Sequence, residues 1–159
     1  MINGGWKSYE NMVSNPTLGE HPKDLVVNPN TDRIYIHERG SGKIYVINGK
    51  TNQKISEFNI GMCPQFLFGS GMAVDFSRNR IYVGSCAFIG IYVIDGDTNN
   101  IVANITLNNA PKNIFVDQFT HRIYIIKDFS PILNIIDGQT NTVIPYYGFL
   151  RYALFRPTF

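Results

Sequence analysis

The stretch RIYIHERGSGKIYVINGKTNQ, beginning at Arg33, is written again as RIYVGSCAFIGIYVIDGDTNN from Arg80 and as RIYIIKDFSPILNIIDGQTNT from Arg122. Arg33 and Arg80 are 47 residues apart and Arg80 and Arg122 are 42 apart, whereas Pro22 to Pro64 spans 42 and Pro64 to Pro111 spans 47. The basic period is therefore 42 residues, with five extra residues between Pro64 and Val74 in QFLFGSGMA. A period near 40, made of short apolar runs and turn residues, is the pattern of propeller blades, each a four-stranded antiparallel sheet.

Each unit holds four predicted strands. Strand A is LVV, MAV or IFV, strand B is RIYI or RIYV, strand C is IYVI or LNII, and strand D is KISEFNI or IVANITL. Turns rich in Asn, Asp, Pro and Gly separate them. Strands B and C are apolar at successive positions, so both sheet faces are buried, as a blade wedged between two others requires. A parallel sheet under helices would also bury both faces, but no segment has a helical period. The fold class is all-β: a β-propeller segment of three four-stranded antiparallel blades plus one orphan N-terminal strand.

That orphan comes from aligning MVSNPTLGEHP with KISEFNIGMCP and IVANITLNNAP, which makes it a D strand without its first three partners. The division is a lead-in over 1–11, the orphan strand over 12–18, blade 1 over 22–61, blade 2 over 64–108 with its insertion at 65–71, blade 3 over 111–144, and a divergent tail over 145–159. Three readings of the open arc stand side by side: a segment of a longer protein, closure by another copy, or the N-terminal strand completing blade 3. Apolar end faces, built from residues such as Ile34, Ile36, Ile123 and Ile125, predict self-association.

The repeated residues have structural roles. In a B–C hairpin Arg80 lies opposite Asp95 and Arg122 opposite Asp137, pairing opposite charges across the sheet, while Arg33 meets Asn48. Gly49, Gly96 and Gly138 are expected to take positive φ in the C–D turns. The turn DGDTNN is a poor match to a calcium loop, and the same turn recurs without its second Asp.

Composition narrows the function classes. With 44% hydrophobic and 16% charged residues among 159, the chain reads as one globular domain with a real core. A net charge of +2 without a basic run gives no argument for nucleic acid. No apolar run approaches the roughly 18 residues of a membrane span, and MINGGWKSYENM has neither the basic nor the apolar region of a signal peptide.

The pattern VNPNTDRIYI followed by IYVINGKTN, repeated as VDFSRNRIYV with IYVIDGDTN and VDQFTHRIYI with NIIDGQTN, resembles the YVTN-type β-propeller repeat over residues 12 to about 144. The resemblance implies a family of propellers often found outside the cytoplasm, surface-layer and cell-surface proteins among them, and no single reaction. The Asn that usually follows the Tyr-Val strand is replaced here by His37-Glu38, Gly84-Ser85 and Ile126-Lys127. Cys63 and Cys86 fall on the same side of blade 2. In the oxidising setting that the resemblance implies, a disulfide between them is the alternative to two free thiols.

Positions that repeat serve the blade; positions that differ are free to serve something else. The A–B and C–D loops lie on one side of the disc and are variations on one theme. The B–C and D–A loops lie on the other side and differ from blade to blade, so the candidate ligand- or partner-binding residues are His21, His37, Glu38, Arg39, Phe66, Phe68, Phe88, Lys127, Asp128 and Phe129. His21, His37 and Glu38 suggest a two-histidine, one-carboxylate site, but solvent-facing loop histidines are the simpler reading, and neither a metal nor a cofactor is expected. Cys86 with His37 as nucleophile and base lacks an orienting third group. His121 sits in a turn on the opposite side and reads as structural. Phe66 and Phe68, in the insertion, suit contact with a partner or a lid on their own blade.

The expected function is a non-catalytic binding or scaffold module that takes a protein, glycan or small ligand through the variable loops, at the cell surface if the resemblance holds. The alternative is a propeller enzyme of the lactonase or streptogramin-lyase kind, with a metal at the channel mouth. Such an enzyme needs carboxylates from several blades, and this chain offers few on the right side.

Overall fold

The computed structural model describes residues 16–62, 71–85, 87–127 and 130–145. Among them are twelve strands and no helix, in three antiparallel sheets that each follow chain order. The first sheet consists of β1 (Pro22–Asn28), β2 (Arg33–Glu38), β3 (Lys43–Asn48) and β4 (Lys54–Asn59). The second consists of β5 (Met72–Asp75), β6 (Arg80–Ser85), β7 (Gly90–Asp95) and β8 (Ile101–Thr106). The third consists of β9 (Pro111–Val116), β10 (Arg122–Lys127), β11 (Asn134–Asp137) and β12 (Thr142–Ile144). The further strand expected over 12–18 lies mostly outside the described residues, and 16–18 belong to no strand.

The repeated turn sequence now has a physical reading. Asn48, Asp95 and Asp137 close the C–D turn with their side chains: each Oδ1 accepts the backbone N–H groups two and three residues on, at 2.7 to 3.1 Å. The left-handed residue is the last Asn of the motif, at Asn52, Asn99 and Asn141 with φ of 56°, 59° and 56°. Gly49, Gly96 and Gly138 are not at positive φ, contrary to expectation. They are glycines because the C–D turn packs onto the A–B turn of its own blade, where each donates its N–H to the carbonyl of Asp32, Asn79 or His121. An added Cβ would lie 3.0 Å from Asp32 O, 2.0 Å from Asn79 Oδ1 or 2.4 Å from His121 O. Asp32, Asn79 and His121 are themselves left-handed, with φ near those of the C–D asparagines at 52°, 51° and 55°. Short polar side chains tolerate that region best among non-glycines.

Register pairs Arg80 with Asp95 and Arg122 with Asp137, as the 15-residue spacing predicts, and Arg80 Nη1 meets Asp95 Oδ2 at 2.7 Å. Two cores lie between the sheets. Tyr35, Ile44 and Val46 of the first sheet pack on Met72, Ile81, Val83 and Ile94 of the second. On the opposite face of the second sheet, Tyr82, Ile91, Val93 and Ile105 pack on Ile114, Ile123, Ile125 and Ile136 of the third. Each fully buried side chain of this size contributes about 1.5–3 kcal/mol. The middle sheet is thus buried on both faces. The outer faces of the first and third sheets are not: Leu25 and Val27 are exposed on one, Phe115 and Ile126 on the other. Ile34 and Ile36 do lie on the partly open face of the first sheet, paired with Val27 and Leu25. Ile123 and Ile125 do not, because strand alternation turns them inward, where both are fully buried.

Candidate functional site

Antiparallel order puts the A–B and C–D turns on one side of the arc and the B–C and D–A loops on the other. On the latter side, the residue that ends strand B differs in each blade (Glu38, Ser85 and Lys127), and all three side chains are buried. Glu38 holds its own loop. Its Oε1 accepts the backbone N–H of His21 at 3.2 Å and of Gly40 at 2.9 Å, and its Oε2 accepts the N–H of Ser41 at 2.8 Å and the Ser41 hydroxyl. Burial pushes the carboxyl up, but the hydrogen bonds from Ser41, Gly40 and His21 outweigh it and hold the group below its ordinary range. Ser85 Oγ accepts from the N–H of Ala87 at 3.2 Å. Lys127 reaches across to Asn108 Oδ1 in the D-strand exit, and burial lowers its ammonium's pKa.

His37 does not join His21. It is buried on strand B in register with Asp24, and both His37 Nδ1 and Asp24 Oδ2 are buried without a hydrogen-bond partner among the described residues. Burial holds the imidazole below its ordinary range, against Asp24 and Glu38, which pull it up. Among the described residues no three His, Cys, Asp or Glu side chains gather as a metal-binding group, and the oxygens of Glu38 are already occupied by the loop. Phe88 is half-buried, its ring edge-on to Tyr92 at 4.7 Å between centroids and stacked over Gly90. Cys63, Phe66, Phe68, Cys86, Asp128 and Phe129 lie outside the described residues.

His21 and Arg39 do come together. With Glu20, Pro22, Lys23, Gly40 and Met62 they line an open cavity of about 610 Å³ beside the B–C loop of blade 1. The Arg39 N–H donates to His21 O at 3.1 Å, which fixes the two loop segments against each other, with the Glu38 carboxylate beneath them. The lining thus carries two cationic side chains, a histidine, one carboxylate and the apolar Met62. Lys23, Met62 and Glu20 were absent from the sequence candidates. The run Glu20-His21-Pro22-Lys23, with charged groups in a D–A loop, was the available signal.

The opposite side joins the blades. Asn28 Nδ2 donates to Asn79 Oδ1 at 2.7 Å, His121 Nδ1 lies 2.8 Å from Asp75 Oδ2, and Gln118 Nε2 donates to Val74 O at 2.7 Å. His121 is thus a structural link, as its turn position suggested.

The fold that these sheets define is a β-propeller segment. It is similar to the hydrazine synthase of Kuenenia stuttgartiensis (TM-score 0.68, 14% identity, 86% of this chain and 38% of that one). It is also similar to the WD40 repeats of RRP9 (0.67, 12%, 81% and 39%) and to the β-propeller domain of Myceliophteria thermophila Cps50 (Swd1) (0.63, 9%, 82% and 40%). This chain therefore spans about two fifths of each of those structures. No protein-family model matches the chain, and no curated protein does. At these identities the likeness establishes the propeller fold alone, and it spans an enzyme and a WD40 domain alike.

Proposed function

We propose that the chain is a non-catalytic β-propeller module that binds an acidic segment of a partner protein through the cavity beside the B–C loop of blade 1. The observation that carries this is the lining, in which Lys23, Arg39 and His21 share the wall with Met62 and one lining carboxylate, Glu20, while the Glu38 carboxylate beneath is taken up by backbone N–H groups. Lysine and arginine donate charge-assisted hydrogen bonds to carboxylates, and an exposed Met side chain accepts the apolar stem of a glutamate. A catalytic reading gains nothing from the described candidates, because Glu38 and Lys127 are spent on loop and strand-exit contacts. The YVTN resemblance supports a place at the cell surface, where protease digestion of intact cells would reach the protein.

The test is fluorescence anisotropy with a labelled glutamate-rich peptide. The chain binds it with an affinity that falls as salt rises, a lysine-rich control does not bind, and Lys23→Glu weakens binding at least tenfold without changing the melting temperature. Equal binding by Lys23→Glu, or none by the native chain, would sink the proposal.

A further inference from the structure

Every junction between blades is closed from the same repeat positions. The last residue of strand A reaches forward to the left-handed residue ending the next blade's A–B turn: Asn28 to Asn79, then Asp75 to His121. The tyrosine of strand B reaches forward as well. Tyr35 donates to Gly96 O at 3.0 Å; Tyr82 Oη points the same way, 3.1 Å from where a Gly138 Cβ would stand, but is buried without a hydrogen-bond partner among the described residues. Asn30 follows the same direction, donating to Phe76 O at 2.8 Å.

Blade 3 carries the forward half of this connection. Asp117 stands at the position of Asn28 and Asp75, and Tyr124 at that of Tyr35 and Tyr82. Phe119, at the position of Asn30, is 96% exposed, and Phe115 is 55% exposed beside it. Blade 1 carries the receiving half: Asp32 at the position of Asn79 and His121, Gly49 at that of Gly96, and an open face of Leu25 and Val27.

The geometry points to the outer face of the third sheet as a docking surface for a further blade of this repeat whose A–B turn ends in a hydrogen-bond donor, Asn or His, and not for blade 1 of a second copy. The face continues an interface type that the molecule builds twice, each time with a donor on one side: the Asn28 amide against Asn79, and His121 against the Asp75 carboxylate. Head-to-tail docking of a second copy would set Asp117 against Asp32. Neither carboxylate donates: Lys50, 2.7 Å from Asp32 Oδ2, offsets one charge, and Asp117 is bonded by neutral groups of its own turn, the N–H groups of Phe119 and Thr120 and the Thr120 hydroxyl. Like charges brought together in a desolvating interface are strongly selected against. Two copies would otherwise close a six-bladed ring, within the usual range of about four to eight. Asp32 thus disfavours self-closure, and the occupant is a blade whose A–B turn ends as that of blade 2 or blade 3 does.

Sedimentation equilibrium on the full chain tests this. The native chain self-associates weakly. Asp32→Asn, which gives blade 1 the residue that blade 2 has as Asn79 and suits φ of 52°, tightens dimerisation at least tenfold. Asp117→Asn does the same, the double variant adds little beyond either, and Glu57→Gln on the exposed β4 changes nothing. A tight dimer of the native chain would overturn the proposal by making the second copy the occupant. Unchanged association of Asp32→Asn would overturn it by showing that this position does not select.

Discussion

Replacing Glu38 by Ala removes the acceptor of three backbone N–H groups and of the Ser41 hydroxyl. Hydrogen bonds to a charged group are worth about 1.5–3 kcal/mol each when their loss leaves donors dry. The donors are not dry here: His21 and Gly40 are exposed and Ser41 half-buried, so water replaces much of what is lost. About half the lower sum of the four bonds, roughly 3 kcal/mol, is the expected loss in urea denaturation. For a chain of this length that lowers Tm by about 6–12 °C. Glu38→Gln keeps the shape but turns an amide donor toward N–H groups, and costs about 1–2 kcal/mol. The carboxyl is held below its ordinary value of 4.5, so its stabilisation is present in full above that pH and is lost as pH falls through the lower folded-state value. The gap between native chain and Glu38→Gln therefore narrows below about pH 4.5. A Glu38→Ala protein as stable as the native chain to within about 0.5 kcal/mol would refute the loop-holding role and return Glu38 to the candidate ligands.

Gly96→Ala forces Asn79 to move, since a Cβ would lie 2.0 Å from its Oδ1, and so breaks the Asn28 link; calorimetry is expected to show a loss of about 2 kcal/mol, against less than half that for Gly49→Ala, where the contact is 3.0 Å. His37 is buried with a lowered pKa, so the unfolded chain takes up a proton that the folded chain refuses as pH falls below 6.5. Stability therefore declines from pH 7 toward 5, and His37→Leu flattens that slope in pH-dependent thermal melts. Arg80→Ala costs under about 1 kcal/mol, as a half-exposed cross-strand ion pair does, measured by urea titration.

The strands were legible because strands B and C are written nearly identically three times, and a repeat fixes register as well as element type. The Arg80–Asp95 pair and the inner position of both-faces-buried strands followed from spacing alone. The φ of Gly49, Gly96 and Gly138 was misread, because sequence shows that a turn needs glycine but not whether the need is conformational or steric. Here it is steric, and Asn52, Asn99 and Asn141 supply the left-handed geometry. The direction of Ile123 and Ile125 was misread because consecutive apolar residues do not say which face meets the neighbour. The candidate loop was recognisable from its variability, but the sealing of Glu38 and His37 depends on which backbone amides and strands surround them. The inter-blade links Asn28–Asn79 and Asp75–His121 were hidden because their chemistry changes from one junction to the next while their geometry does not.

In the function proposed above, partner binding belongs to the B–C side of the arc while the A–B and C–D turns are scaffold. Titrating the ¹⁵N-labelled chain with the glutamate-rich peptide and following amide chemical shifts tests it most directly. Shifts are expected to concentrate at Glu20, His21, Lys23, Arg39, Gly40 and Met62, with the turns around Asp32, Asn79 and His121 unmoved. Shifts centred instead on those turns, or on the exposed Phe119, would contradict it.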